Sequence, residues 1–436
     1  MTAATRRYSQ TTVRFALIGA IVLAMLIPLA LVKGVSRERQ ALFDATLTDV
    51  GRAWGEAQSI AGPFLIIPEE HHWEVADKQG RKRELTRLRE RVFLPSDLSL
   101  DIEVDHQLRS RGIYEVPVYT ARVSAKGRFD RVDDTLTERS DVRLRTDQAR
   151  IVVGISHTQA VSTASTLALG DAAYAFRAGT ENGWIGTGVQ ASIADYVPGR
   201  TQSFEFEVVL KGTRQLDFAA LGGRTSAHMT ASWPHPSFQG RYLPERYAIR
   251  SDGFDAQWTV HELARALPAT FMPDEEPPRW QESAAAVRLF QPVTGYTTVD
   301  RAIKYGLLFV VLTFLGFICF ELTQALRFHP VQYGVVGLGL VLFYLALLAL
   351  SEHLSFALAY LIATTLVTAL TTWYAWAMAR AVRPTIGMAI TISTLYATLY
   401  VLLQLETFAL LVGTGVLFIG LWALMFSTRA LAMRVD

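Results

Sequence analysis

Cysteine is almost missing from this chain of 436 residues: the single one, Cys319, lies inside an apolar segment. A single thiol cannot form a disulfide within the chain, and it excludes any metal site built on paired cysteines. A charge bias is missing as well, because 42 basic and 40 acidic residues leave a formal net charge of +2. We therefore expect no nucleic-acid partner.

Signatures of catalysis are also scarce. The chain has no nucleophile elbow and no phosphate-binding loop, and residues 183–188 lack the third glycine of a dinucleotide fingerprint. His261 begins a run similar to the zinc-protease motif His-Glu-x-x-His, but Arg265 stands where the second histidine is needed. The neighbouring His71 and His72 would point apart on a strand, which disfavours zinc. We predict no enzymatic activity, no cofactor and no metal site.

The chain contains several long apolar runs instead. Its mean hydropathy of +0.23 averages a polar middle region with a very apolar C-terminal region. The run from 331 to 350 can cross a bilayer, because about 20 residues at roughly 1.5 Å each span a hydrocarbon core of about 30 Å. Residues 15–33 are longer than the apolar region of a signal peptide and precede a poor cleavage site, so we predict an uncleaved anchor.

The pattern predicts a multi-pass α-helical membrane protein with six transmembrane helices, arranged 1 + 5, and a large β-rich domain inserted after the first helix. The predicted order is an N-terminal tail at 1–14, a transmembrane helix at 15–33, an amphipathic helix at 34–61, the β-rich domain at 62–303, a five-helix bundle at 304–427 and a C-terminal tail at 428–436. The bundle helices are predicted at about 305–322, 331–350, 354–376, 385–403 and 407–426.

Two periodicities support the polar part of this order. Apolar side chains recur every three or four residues from Phe43 to Ala57, which predicts an amphipathic helix stopped by Gly62-Pro63. Residues 203–211 alternate apolar and charged side chains, as a half-buried strand does. Similar short runs between turn residues predict a predominantly antiparallel β region of one or two domains.

Basic residues in short loops and tails predict the orientation in the membrane. The two short turns on one side carry none, whereas the other side collects Arg6, Arg7, Arg14, Arg327, Arg380, Arg383, Arg429 and Arg434. Basic residues also flank the large domain, but large translocated domains largely escape this rule. We predict that both termini lie in the cytoplasm and that the β-rich domain lies on the opposite, non-cytoplasmic side of the membrane.

A set of tryptophan, proline and histidine landmarks runs along nearly the whole chain. The landmarks are 62–63, 232–238, Gly240, 243–244, 253–254, 257–258, Thr298, 300–302, 304–305, 320–321, 329–330, 332–333 and 341–353. This set closely resembles the CreD inner-membrane proteins of Gram-negative bacteria. The resemblance implies an inner-membrane protein with a periplasmic domain, associated with cell-envelope integrity, a two-component regulatory system and altered tolerance of colicins and β-lactams. It implies no settled biochemical activity and no catalytic residues.

Polar residues at membrane depth are the first site candidates, because charge is expensive to bury in lipid. Glu352 and His353 end one predicted span, and Gln404 and Glu406 lie in a second turn on the same predicted side. One interpretation is a cluster that handles protons or a polar substrate. The other is a pair of hydrated turns at the membrane interface.

Three further candidates are read from local pattern. Glu321 could pair with Arg327 or Arg380 on the cytoplasmic side, as a structural ion pair or a functional carboxylate. Trp233, His235 and Phe238 lie in a proline-fixed segment that is either a rigid connector or a recognition loop. The basic run Arg81, Lys82, Arg83, Arg87, Arg89 and Arg91 predicts either a solvated hairpin or a patch for anionic headgroups.

Two classes of function follow. The first is a non-enzymatic protein that supports envelope integrity, anchored in the lipid bilayer and binding an envelope component or a partner protein through its β-rich domain. The alternative is a proton-coupled transporter or flippase-like bundle that uses Glu352, His353, Gln404 and Glu406. The sequence does not indicate an oligomeric state.

Overall fold

The computed structural model describes residues 13, 16–76, 82–132, 142–265, 267–274, 279–289, 295–324, 329–405 and 408–428. The chain divides into two compact units. One combines Met1–Asp44 with Val293–Asp436, and the other is Ala45–Pro292. The first unit is helical and the second is built from strands.

Apolar helices make up the first unit. The helices are α1 Leu26–Trp54, α2 Gly295–Lys304, α3 Gly306–Gln324, α4 Pro330–Ser351, α5 Phe356–Ala379, α6 Val382–Gln404 and α7 Ala409–Thr428. α1 continues a helical stretch at 16–24, and its last ten residues belong to the second unit.

Four helical stretches in the described residues are long and apolar enough to cross a membrane. They are Ala16–Trp54, Pro330–Ser351, Phe356–Met378 and Thr385–Gln404. A fifth is obtained if Thr298–Lys304 and Gly306–Cys319, bent by 49°, form one span. Leu411–Trp422 is a shorter apolar helix. Four to five such helices beside a large β-rich domain are the architecture of a membrane protein with a β domain, and the number six stays a prediction.

The amphipathic segment ends earlier than the sequence indicates. The prediction was a helix over 34–61, but α1 ends at Trp54 and the first strand begins at Gln58. The chain leaves the helix at Gly55, which has φ +149°. A Cβ there would lie 2.3 Å from the carbonyl oxygen of Lys211, so only glycine permits this approach. Gly62-Pro63, the predicted stop, lies inside the first strand.

Nineteen strands in the described residues form the second unit. They are β1 Gln58–Ala76, β2 Lys82–Phe93, β3 Asp97–Arg111, β4 Tyr114–Phe129, β5 Val142–Leu144, β6 Ala149–Ile155, β7 Val161–Ala164, β8 Leu167–Leu169, β9 Ala172–Tyr174, β10 Arg177–Ala178, β11 Gly188–Ile193, β12 Gln202–Thr213, β13 Gln215–Ala219, β14 Arg224–Ala231, β15 Pro236–Gly240, β16 Arg246–Arg250, β17 Gly253–His261, β18 Thr270–Phe271 and β19 Ala284–Leu289.

The strands form two sheets that enclose one large apolar core. The first sheet runs β10-β11-β6-β1-β13-β19-β15, with β2 and β5 also on β1 and β18 on β2. The second runs β16-β17-β14-β3-β4-β12-β8-β9, with β7 on β12. Pairing is antiparallel except between β1 and β13 and between β14 and β3. Inward side chains from both sheets make the main core, as in a β-sandwich.

β1 is buried on both faces, which explains its continuous apolar run. Leu65 and Ile67 point into the main core, while Phe64 and Ile66 pack in a second cluster with Trp184 and other side chains. A strand covered on both sides needs apolar residues at successive positions rather than alternation.

The C-terminal end of α1 is fixed to the second sheet by Trp54. Its indole Nε1 donates a hydrogen bond to the carbonyl oxygen of Tyr119 at 3.1 Å. The guanidinium of Arg109 and the ammonium of Lys211 lie 4.3 Å and 4.6 Å from the ring centroid. Cations over an indole ring are held by its quadrupole, so this contact combines packing with electrostatics.

Candidate recognition edge of the β-sandwich

β16 is an end strand of the second sheet, and in the part of the chain that the structure describes it pairs only with β17. A two-residue turn at 251–252 joins the two strands, with Arg250 opposite Gly253. All five residues of β16 are exposed. An open strand edge leaves backbone donors and acceptors available to another chain.

The side chains of β16 alternate between a polar and an apolar face. Arg246, Ala248 and Arg250 lie on the outer face of the sheet, with Gln257 and Asp255 of β17. The two residues between them, Tyr247 and Ile249, lie opposite Ala256 and Phe254, which are core residues. The inward face of the sheet is therefore apolar up to its last strand.

That inward face reaches solvent at the edge. Tyr247 is 61% exposed and Ile249 is 50% exposed. Phe238 of β15, the end strand of the first sheet, has its ring centroid 5.3 Å from that of Tyr247. Phe238 also packs 5.7 Å from Phe254. The result is an apolar surface between the end strands of the two sheets, which we call the edge surface: Phe238, Tyr247 and Ile249.

The predicted recognition loop contributes only in part to this surface. Trp233 is 7% exposed, and its Nε1 donates to the carbonyl oxygen of His235 at 3.1 Å. Its ring also contacts His106, 5.1 Å away between centroids. His235 is exposed, and Phe238 is the member that reaches the edge surface. Sequence reasoning missed β16, although alternation over 246–250 before the turn at 251–252 is a hairpin signal.

Positive charge lines the outer side of the same strand. Arg246 and Arg250 form no ion pair with any described residue. Two acidic residues flank the strand, because Glu245 precedes β16 and Asp252 lies in the turn after it. Some other arginines on the outer face of this sheet are paired. Arg128, for example, lies 2.5 Å from Asp97, and Arg122 lies 3.4 Å from Glu103.

The polar candidates for a membrane site belong to the helical unit. Glu352 is 11% exposed at its side chain, and its Oε1 lies 3.5 Å from Nε of Arg39. His353 and Gln404 are exposed, and no hydrogen bond joins them among the described residues. Glu406 lies outside the described residues, so the four-residue cluster stays a prediction.

Glu321 has a partner that the sequence did not indicate. The hydroxyl of Tyr333 donates to its Oε2 at 2.9 Å. Arg327, the predicted ion-pair partner, lies outside the described residues, so that pair stays a prediction.

The incomplete zinc motif has a structural use. β17 ends at His261, and residues 262–264 form a short 3-10 turn rather than an α-helix. Arg265 is buried and donates 2.8 Å hydrogen bonds to the carbonyl oxygens of Leu221 and Leu267. Burial lowers the pKa of Arg265 from its ordinary value. No group of three or more potential metal ligands occurs among the residues that the structure describes.

Acidic partners lie next to three members of the basic run: Lys82, Arg89 and Arg91. Lys82 lies 2.7 Å from Glu74, and Arg89 lies 2.8 Å from Asp274. Arg91 pairs with Glu69, whose side chain is fully buried. The solvated-hairpin interpretation fits these contacts better than a free basic patch, and Arg81 lies outside the described residues.

Comparison with known proteins identifies the family. The sequence profile described as "Inner membrane protein CreD" matches residues 10–433. The chain belongs to the CreD family. It is 30% identical over 420 residues to the inner membrane protein CreD of Escherichia coli (strain K12), covering 95% of this chain and 91% of that protein. Family membership and apolar helices make it an inner-membrane protein, which confirms the resemblance found in the sequence.

Solved structures add little to the CreD assignment. An M1 zinc metallopeptidase from Deinococcus radiodurans is 8% identical, with a TM-score of 0.22, over 44% of this chain and 41% of the peptidase. Yeast LTA4 hydrolase is 8% identical, with a TM-score of 0.20, over 45% of this chain and 29% of the hydrolase. Similarity this weak carries no inference about fold or catalysis.

Proposed function

We propose that this protein supports cell-envelope integrity without catalysis, and that its β-rich domain binds an envelope component or partner protein at the edge surface. The observation that carries the proposal is the exposure of Tyr247 and Ile249 on an open edge strand, next to Phe238. Apolar residues scattered singly over a surface are ordinary. A group of them next to unpaired backbone marks an interaction site or an aggregation hazard.

The membrane unit is the anchor in this proposal. We infer six spans in the 1 + 5 arrangement, with both tails in the cytoplasm and the β-rich domain in the periplasm. The distribution of arginines between loops supports this orientation. A periplasmic domain is positioned to reach envelope components that a cytoplasmic one cannot reach.

The test is complementation of the envelope-stress phenotype of a deletion strain, with membrane abundance measured by immunoblot. The double variant Tyr247→Ser/Ile249→Ser should reach normal abundance and fail to rescue, because it removes apolar contact area without disturbing the core. The control is Leu88→Ser on β2. Leu88 is an exposed apolar residue too, at 53%, but it lies on a strand outside the edge surface. Rescue by the double variant at normal abundance would exclude the edge surface as the working site.

The same assay addresses the transport alternative. Its proposed carboxylate, Glu352, contacts Arg39, so a structural ion pair predicts equal effects of Glu352→Gln and Arg39→Gln. Transport instead requires Glu352→Gln to fail at normal abundance while Arg39→Gln rescues. The outcome that transport requires would assign the function to the helical bundle rather than to the β-rich domain.

A further inference from the structure

We propose that β16 binds an extended segment of a partner protein in which acidic and apolar residues alternate, and that this segment adds a strand to the second sheet. The inference rests on the proposed function and specifies the chemistry of the partner. Strand addition uses the backbone of an open edge for affinity and the alternating side chains for specificity.

The side chains of β16 define what an added strand must present. Residues directly opposite on neighbouring strands interact in pairs, and opposite charges are favourable there. Carboxylates opposite Arg246 and Arg250 would meet the arginines that have no ion pair among the described residues. Apolar residues opposite Tyr247 and Ile249 would enter the edge surface beside Phe238. The resulting pattern is acidic, apolar, small, apolar, acidic.

Charge disfavours a second copy of this chain as the occupant. Antiparallel pairing of two β16 strands about Ala248 would place Arg246 of each copy opposite Arg250 of the other. Like charges directly opposite are destabilising, and basic residues on an edge strand are a known device against self-association. The edge therefore selects against its own copies and for an acidic segment.

The flanking residues limit the acidic part of the segment. Glu245 precedes the strand and Asp252 lies in the turn after it, so partner carboxylates placed beyond the two arginines would be repelled. Five residues of strand correspond to about 17 Å. A segment of this size has a small contact area, which fits a weak and reversible interaction.

The experiment measures peptide binding to the full chain in detergent micelles by fluorescence anisotropy. The probe is a labelled peptide with the core Glu-Val-Ser-Val-Glu between neutral Gly-Ser flanks, and its matched control has lysine for both glutamates. We expect the wild-type chain to prefer the glutamate peptide by about tenfold, from two cross-strand charge pairs. The variant Arg246→Glu/Arg250→Glu should reverse that preference.

A second control separates strand addition from simple charge attraction. The glutamate peptide with both valines N-methylated keeps its charge but lacks two backbone donors, so it should bind at least about tenfold more weakly. Because this change is made in the peptide, it does not affect folding of the protein.

Three results would overturn the inference. They are equal binding of the glutamate and lysine peptides, unchanged binding after N-methylation, and self-association of the wild-type chain that Arg246→Glu/Arg250→Glu abolishes. The proposed function fails separately, when Tyr247→Ser/Ile249→Ser rescues the deletion strain. In a further case, Tyr247→Ser/Ile249→Ser fails to rescue while Arg246→Glu/Arg250→Glu leaves the peptide preference unchanged. That result would support the edge surface as the binding site and exclude an acidic partner strand.

Discussion

At the scale of single residues, Arg265 shows how a motif can be misleading. Its guanidinium donates to the carbonyl oxygens of Leu221 and Leu267 and lies 3.3 Å from Oε1 of Glu262. The side chain thereby ties the segment after β17 to the chain after β13. A histidine at 265 would complete the sequence motif, but it could not make these three contacts.

We therefore expect Arg265→His to destabilise the protein without creating a zinc site. Two buried carbonyl oxygens would lose their donors, at a cost of about 1–3 kcal/mol for each group left unsatisfied. The short 3-10 turn at 262–264 also does not provide the α-helical turn that the zinc motif requires. Zinc content by mass spectrometry and thermal unfolding in detergent would check both parts. Stoichiometric zinc in the variant would contradict this account.

His228 is the residue whose protonation should affect stability. Its Nε2 lies 2.9 Å from Asp255 and its Nδ1 lies 3.2 Å from Asp101, so both ring nitrogens can donate only when the ring is charged. The hydrogen bond with Asp255, and then Asp101, raise the pKa of His228 above its ordinary value.

A raised pKa means that the folded protein holds this proton more tightly than the unfolded chain does. The stabilisation is complete below the unfolded pKa of about 6.5 and is lost as pH rises through the folded value. Since the side chain is 40% exposed, we expect no more than about 0.2–1 kcal/mol. Thermal unfolding at several pH values should show a loss above about pH 6.5 that His228→Gln removes and His235→Gln, at an exposed position, retains. Equal pH dependence in all three proteins would exclude this role.

At the scale of elements, the glycines of α4 differ in how closely other side chains approach them. The sequence predicts that Gly334, Gly337 and Gly339 permit close helix packing. In the structure, a Cβ on Gly337 would lie 2.9 Å from Sδ of Met25 and 3.0 Å from Cζ of Phe314. A Cβ on Gly334 or Gly339 would meet nothing within 4 Å. Of the three, Gly337 is therefore the position where an added side chain would press against neighbouring side chains.

We expect Gly337→Val to lower thermal stability in detergent by about 1–3 kcal/mol, the usual effect of overpacking. Gly334→Val is the matched control, because it makes the same change in helix propensity on the same helix. Membrane abundance in cells should follow the same order. Equal loss in both variants would attribute the effect to propensity rather than to contact with Met25 and Phe314.

The strands show which part of an element can be read from local pattern. Alternation over 203–211 correctly placed a strand, which is part of β12. The fully apolar residues 64–67 lie in β1, where both faces of the strand are covered. The end of α1 was misplaced, because Gly55 ends it through contact with Lys211, a residue 156 positions later in the chain.

At the scale of the whole molecule, two compact units correspond to two kinds of sequence. The helical unit contains the long apolar runs, and the strand unit contains the alternating ones. Membership of the CreD family agrees with this division and defines an inner-membrane protein. The candidate site, in contrast, depends on the order of strands within a sheet.

The sequence by itself determined the membrane-spanning character, the presence of a large β-rich region and the family. The length of an apolar run and the period of its side chains are local properties, so both can be read from the sequence without the tertiary structure. Only the tertiary structure decided that β16 is an end strand, that Phe238 lies beside Tyr247, and that Glu352 contacts Arg39. These facts depend on pairing between distant segments, such as β3 with β14, and periodicity contains no information about which strand is left without a second neighbour.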